Sequence, residues 1–236
     1  MSLVLEAREL RKDYRGGDGG TIEVLRGLEL AVSTGEFVAV TGESGSGKST
    51  LLHLVGALDR PTSGQVLLDG TAYDGLDADG LAALRNRKIG FVFQFHHLLR
   101  DFSALENVAM PLLIAGQAPG RAREHARALL DSVGLGARVT HLPAQLSGGE
   151  QQRAAVARAL ATGPALLLAD EPSGNLDERN ADQLHRLFAG LAREFQTAVI
   201  VVTHNRALAA RADRILTLSE GVLAAETGVR AVAIPS

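Results

Sequence analysis

Thr41-Gly42-Glu43-Ser44-Gly45-Ser46-Gly47-Lys48-Ser49-Thr50 decides the fold. Gly42, Gly47, Lys48 and Ser49 stand at the offsets of a phosphate-binding loop, between the apolar run 37–40 and the amphipathic run 50–55. Strand, glycine loop, helix is the context that motif requires. Gly42, Gly45 and Gly47 let the backbone curl with its N–H groups inward, and the helix adds its positive N-terminal end, so main chain does most of the binding of a polyphosphate. Lys48 is placed to reach the β- and γ-phosphates, and Ser49 to ligate Mg²⁺ through its hydroxyl. The candidate cradle is Gly42, Glu43, Ser44, Gly45, Ser46, Gly47, Lys48, Ser49 and Thr50, with the acid of Glu43 expected to turn away from the phosphates.

The 236 residues are 46% hydrophobic and 22% charged, the balance of a folded chain forming one large domain or a core with an inserted lobe. A net charge of −3 leaves no broad basic footprint, which argues against nucleic acid as the main partner. With no cysteine there is neither a disulfide framework nor a thiolate metal site. The first residues, Met1-Ser2-Leu3-Val4-Leu5-Glu6, do not read as a secretion signal. No apolar run approaches the roughly 18 residues of a spanning helix. Work at a membrane is therefore expected through a spanning partner, without direct insertion.

Alternation predicts strands at 3–10 and 28–32 around the loop Gly16-Gly17-Asp18-Gly19-Gly20. Tyr14, just before that loop, suits either stacking on a nucleotide base or half-exposed packing. After the phosphate loop come a strand at 65–68 with an Asp69-Gly70 turn, a helix near 78–87, and a buried strand at 89–93 ending in Gln94. From Phe95 to about Leu146 the pattern is mostly helical, a separate lobe, with Ser103 and Glu106 at capping-box spacing and a second helical run at about 121–133. Continuous apolar strands return at 165–169 and 198–202, as in a sheet covered on both faces. A helix at 180–194 lies between them, and a closing hairpin, 214–218 and 222–225, follows. The last ten residues carry no readable signal.

Asp170-Glu171 ends the first of those strands, where a parallel sheet delivers side chains to its ligand edge. Asp170 is placed to hold Mg²⁺ opposite Ser49, and Glu171 to orient or deprotonate the water that attacks the γ-phosphate. Thr203-His204 ends the neighbouring strand, where an imidazole can bond both the γ-phosphate and that carboxylate. Gln94 is the candidate sensor of Mg²⁺ and the attacking water. The catalytic set is thus Lys48, Gln94, Glu171 and His204, and the metal set Ser49, Gln94 and Asp170. Leu146-Ser147-Gly148-Gly149-Glu150 opens a helix, as an ordinary cap or as a second anion-binding N-terminus. His96-His97 has no third ligand in view and is not read as a metal site.

In this order, Gly42 to Ser49, Gln94, Leu146 to Glu150, Asp170-Glu171, Ser173-Gly174-Asn175-Leu176-Asp177 and His204 resemble the motif set of an ABC transporter nucleotide-binding subunit, over nearly the whole chain. The resemblance implies a single α/β P-loop NTPase cassette. Its RecA-like core with an antiparallel β subdomain would span 1–94 and 156–236, and an inserted helical subdomain carrying the signature 95–155. It also implies that Ser147, Gly148 and Gly149 cap the γ-phosphate held by a second subunit, that Asp177 lies on the seam, and that Tyr14 stacks on adenine. Two Mg-ATP would then be sandwiched in a head-to-tail homodimer.

A finer match lies in Phe93-Gln94-Phe95-His96-His97-Leu98-Leu99, in 101–114 and in 174–182, which resemble the ATP-binding subunit of the lipoprotein-releasing system, the LolD type. That implies an ATPase peripheral to the cytoplasmic face of the inner membrane, bound to two integral membrane subunits. Those subunits lift outer-membrane lipoproteins and pass them to a periplasmic carrier, and the stretch after Gln94 would receive their coupling helices. A macrolide-type exporter motor and an FtsE-like cell-division regulator are the alternatives. A soluble ATPase of DNA repair or translation would need a long heptad insertion or two cassettes. The sequence departs from the family at Ser173, where Thr is commoner, and at Asn205, where Asp is usual and a charge is lost.

Overall fold

The computed structural model describes residues 2–17 and 19–225; Asp18 of the glycine loop and the unreadable last ten residues lie outside them. The chain opens with β1 (Leu3–Arg15) and β2 (Thr21–Ser33), then β3 (Phe37–Thr41), the phosphate loop and α1 (Lys48–Val55). β4 (Ser63–Leu68), β5 (Thr71–Ala72), α2 (Ala78–Lys88) and β6 (Ile89–Phe93) follow, and then α3 (Ala104–Ile114), α4 (Pro119–Ser132) and α5 (Gly148–Leu160). The remaining elements are β7 (Leu166–Asp170), α6 (Glu178–Glu194), β8 (Ala198–Val202), α7 (Arg206–Ala209), β9 (Arg214–Ser219) and β10 (Val222–Ala225). Among the described residues one sheet is antiparallel, in the order β2-β1-β4-β5. The other, in the order β10-β9-β3-β8-β7-β6, is parallel apart from β10. The α/β core, the antiparallel sheet and the helical part expected from the sequence are all present.

β3, β7 and β8 are apolar without interruption up to the edge where ligands bind, because both of their faces are covered. Val38, Val40, Leu166, Leu168, Ala198 and Ile200 pack with the antiparallel sheet and α1. Their chain neighbours Phe37, Ala39, Leu167, Ala169, Val199 and Val201 pack on the opposite side with α3, α4, α5 and α6. The alternation is the two-residue period of extended chain. Burial of each Val, Leu or Ile is worth about 1.5–3 kcal/mol relative to exposure, and this holds the central strands firmly. The second core runs unbroken from Val108, Leu112 and Leu130 of the helical part into the sheet. α5 approaches β6 closely at Gly90, where a Cβ would stand 2.3 Å from the carbonyl oxygen of Ala159.

Two local expectations are corrected. β1 and β2 are longer than 3–10 and 28–32, because irregular pairing, with Glu9 at φ +49°, reverses the alternation partway along the hairpin. Residues 95–103 are not helical. Buried Asn107 accepts from the Leu99 N–H at 2.7 Å and donates to the carbonyls of Leu99, Phe102 and Ser103 at 3.1, 2.9 and 3.1 Å. One side chain thus replaces the bonds a helix would supply. The helix begins only at the Ser103–Glu106 capping box.

Candidate active site

β3, β8, β7 and β6 end level with one another: Val40 is registered with Val202, Val202 with Asp170, and Asp170 with Phe93. The residues that follow each strand, the phosphate loop, Thr203-His204, Glu171 and Gln94, therefore form one row at the carboxyl edge of a parallel sheet. Gly42, Ser44, Gly45, Gly47, Lys48, Ser49, Thr50, Gln94, Asp170, Glu171 and His204 line a cavity of ≈ 710 Å³. Val24, Phe93, Phe95 and His97 complete the wall. Phe93, Phe95 and His97 fall in the stretch 93–99 singled out in the sequence, though with no role at this site, and Val24 lies outside every motif.

Gly42 has φ +149°, and a Cβ there would stand 2.3 Å from the Leu218 carbonyl oxygen, so only glycine fits this turn. Lys48 Nζ donates to the carbonyls of Gly42 at 2.9 Å and Glu43 at 2.6 Å. Glu43 thus contributes through its main chain, and neither it nor Ser46 lines the cavity. α1 has no side-chain cap at Gly47, which leaves its first N–H groups to an anion.

Ser49 Oγ donates to Asp170 Oδ2 at 3.1 Å. Burial pushes the Asp170 carboxyl above its ordinary pKa, against the hydrogen bond from Ser49. A hydroxyl and a carboxylate strained by burial are hard oxygen donors whose charge a divalent cation would stabilise, so these residues fit Mg²⁺. Among the described residues no group of three or more His, Cys, Asp or Glu is placed to hold a metal ion. A cation at Ser49 and Asp170 would therefore share its remaining coordination with phosphate oxygens and water.

Glu171 is clamped from the end of β8. Its Oε2 accepts from Thr203 Oγ1 at 3.0 Å, and its Oε1 accepts from the His204 N–H at 2.9 Å and from His204 Nδ1 at 2.7 Å. Nε2 is left as the ring's second bonding atom, on a side chain 77% exposed. Glu171 has φ +43°, a conformation that costs a non-glycine residue about 1–3 kcal/mol. Bonds from the Glu171 N–H to Val202 and from the Gly174 N–H to Glu171, at 2.9 and 3.0 Å, hold that turn. Gln94 Nε2 donates to Asn175 Oδ1 at 3.1 Å, and Asn175 Nδ2 returns a bond to the Gln94 carbonyl at 3.3 Å. α5 holds the chain on both sides of Gln94: Gln152 donates to Phe93 at 2.9 Å, and Arg158 to His97 and His96 at 2.7 and 2.9 Å.

Sequence reasoning gave Thr203 and Asn175 no role of their own, although both stand in stretches it singled out, and passed over Gln152 and Arg158. Their only signal is polarity at places otherwise apolar or committed to the motifs.

Other sequence candidates lie outside this cavity. Ser147 caps α5, accepting from the Glu150 N–H at 3.3 Å, with Gly148 and Gly149 in the first turn. Asp177 caps α6, and the Asn180 N–H holds its carboxyl below the ordinary pKa. Tyr14 donates to Asp59 Oδ2 at 3.1 Å. Asn205 Oδ1 accepts from the Leu208 N–H at 3.1 Å, so an amide supplies the cap of α7 with no charge required.

A family model described as ABC transporter matches residues 25–174. The lipoprotein-releasing system ATP-binding protein LolD 2 of Chlorobaculum tepidum is 54% identical over 228 residues, covering 94% of this chain and 92% of the relative. LolD of Shewanella frigidimarina is 51% identical over 223 residues, covering 94% and 93%. Among solved structures, dimeric MJ0796, a bacterial ABC transporter cassette, superposes with a TM-score of 0.84 at 39% identity, covering 93% of this chain and 96% of the other. The dimeric post-hydrolysis state of MJ0796 bound to ADP and Pi gives 0.87 at 38%, covering 97% and 100%.

Proposed function

The chain belongs to the ABC transporter family, and from that membership we propose that it is the ATP-hydrolysing motor of an exporter that moves outer-membrane lipoproteins from the inner membrane to a periplasmic carrier. The observation that carries this reading is identity of 51–54%, over more than nine-tenths of both chains, with proteins named for the lipoprotein-releasing system. A macrolide-type motor or an FtsE-like regulator would share the motifs, and the named relatives favour neither.

In this reading the loop Gly42, Glu43, Ser44, Gly45, Ser46, Gly47 and the start of α1 wrap the triphosphate of ATP with main-chain N–H groups. Lys48 leaves the carbonyls of Gly42 and Glu43 to meet the β- and γ-phosphates. Ser49, Asp170 and Gln94 would hold Mg²⁺, which when bound neutralises phosphate charge. Glu171, fixed by Thr203 and His204, takes the proton of the attacking water or orients it, and His204 Nε2 and Lys48 meet the charge that builds on the γ-phosphate.

Ser147, Gly148, Gly149 and Asp177 lie outside their own chain's cavity, which supports their serving the cavity of a second copy in a head-to-tail homodimer. Tyr14 is read as the adenine platform. No helix among the described residues is long and apolar enough to cross a membrane. In this reading the motor sits at the cytoplasmic face of the inner membrane through two integral membrane subunits. Phe95, Leu99, Phe102 and Ile114 are exposed, which supports docking of those subunits on the lobe 95–155 that is inserted between core segments 1–94 and 156–236.

The test is purification of the tagged chain from its native membranes, with identification of the bound subunits. The expected companions are the membrane pair of a lipoprotein-releasing complex; recovery with a macrolide exporter or a cell-division partner would replace this reading.

A further inference from the structure

Tyr14 is 40% exposed, and it is held by contacts that no site motif includes. Its hydroxyl and Lys12 Nζ meet at one oxygen, Asp59 Oδ2, at 3.1 and 2.8 Å. The same ammonium donates to the Arg60 carbonyl at 2.7 Å and lies 4.9 Å from the centroid of the Tyr14 ring. The Lys12 side chain is only 12% exposed against 40% for Tyr14, which supports a cation on the covered face of the ring with the exposure on the other face. Asp59 belongs to the turn that closes α1: its N–H and that of Leu58 donate to the His53 carbonyl at 3.2 and 2.8 Å. The helix that starts in the phosphate loop thus carries, just past its other end, the carboxylate that anchors the ring.

We propose that Lys12 and Asp59 are positioning residues for the nucleotide base: they fix the Tyr14 ring before ATP arrives, at a set distance from the phosphate loop, with its outer face presented to the purine. The proposal rests on the reading that Tyr14 stacks on adenine. A tyrosine on an exposed strand would otherwise have to be ordered by the ligand, at a cost in affinity. Here the hydroxyl bond sets the tilt of the ring, and the cation on its inner face opposes its turning inward. Such a mount acts on the base alone. It leaves the affinity for the phosphates to the loop.

The experiment compares binding of ATP with binding of inorganic tripolyphosphate, which has no base, by calorimetry on the full chain as wild type, Lys12→Met, Asp59→Asn and Tyr14→Ala. Lys12→Met and Asp59→Asn are expected to weaken ATP by about tenfold, the scale of one impaired base–aromatic stack, and to leave tripolyphosphate unchanged. In steady-state hydrolysis KM should rise while kcat at saturating ATP holds. If Tyr14→Ala weakens ATP and neither of the other two does, the stacking stands and the positioning role is overturned. Parallel loss of ATP and tripolyphosphate in Lys12→Met and Asp59→Asn would overturn it as well, reducing both residues to support of the fold. If Tyr14→Ala binds ATP as the wild type does, the stacking reading fails and takes the proposal with it.

Discussion

Three donors converge on the Glu171 carboxylate, two of them from His204, and that convergence makes this residue the most informative to change. Glu171→Gln keeps the shape but cannot take a proton, so phosphate release is expected to fall by at least about 100-fold with ATP binding retained. Undiminished turnover would remove Glu171 from its role. Asp170 makes a second, independent prediction. Burial raises its pKa, so the folded chain holds that proton more readily than the unfolded one; stability linked to it is complete below the unfolded value and is lost as pH rises through the folded one. Asp170→Asn removes that loss. The melting temperature of the nucleotide-free protein should rise at pH 7, with a gain that shrinks toward about pH 4, while Mg²⁺-dependent hydrolysis disappears. A lower melting temperature at pH 7 would contradict the burial argument. Asp170, Glu171 and His204 were legible as ionisable groups within two residues of the end of an apolar run. Thr203 was not, since its hydroxyl matters only through a neighbour 32 positions away.

Elements meet at points that a single atom can disturb. Gly90→Ala would place a Cβ against the α5 backbone at Ala159, which cannot rotate away, so α5 must shift. A cost of about 1–3 kcal/mol is expected as a lower urea midpoint, and an unchanged midpoint would mean that the contact between α5 and β6 is loose. Arg158→Met keeps the apolar stem of a side chain whose pKa burial lowers, and releases the His96 and His97 carbonyls. Hydrogen exchange measured by mass spectrometry should quicken over 94–99 while α5 stays protected; unchanged exchange there would show that Arg158 does not hold the loop. Helices and strands with one clear period were read well from sequence. The bulged β1 and the loop at 95–103 were not, because a register shift and the Asn107 bonds depend on tertiary partners that no local pattern records.

Across the whole molecule, the strand order β10-β9-β3-β8-β7-β6 brings four separated segments into one row. Only the adjacency of the strands leading to Asp170 and to His204 was legible, and the rest of the order was not, since the crossovers leave no mark on the strands themselves. The α/β class was, from the phosphate loop and the apolar runs around it. The core also passes without interruption between the helical part and the sheet, which is why composition marks no boundary there. The same arrangement leaves Ser147 and Asp177 outside the cavity that Lys48 and Glu171 line, and the central claim of the proposed function is that they complete the cavity of a second copy. The most direct test is the mass in solution of the Glu171→Gln chain with ATP and Mg²⁺, by analytical ultracentrifugation. Twice the single-chain mass with nucleotide, and the single-chain mass without it, is the predicted result; a chain that binds ATP and stays at single mass would contradict the account.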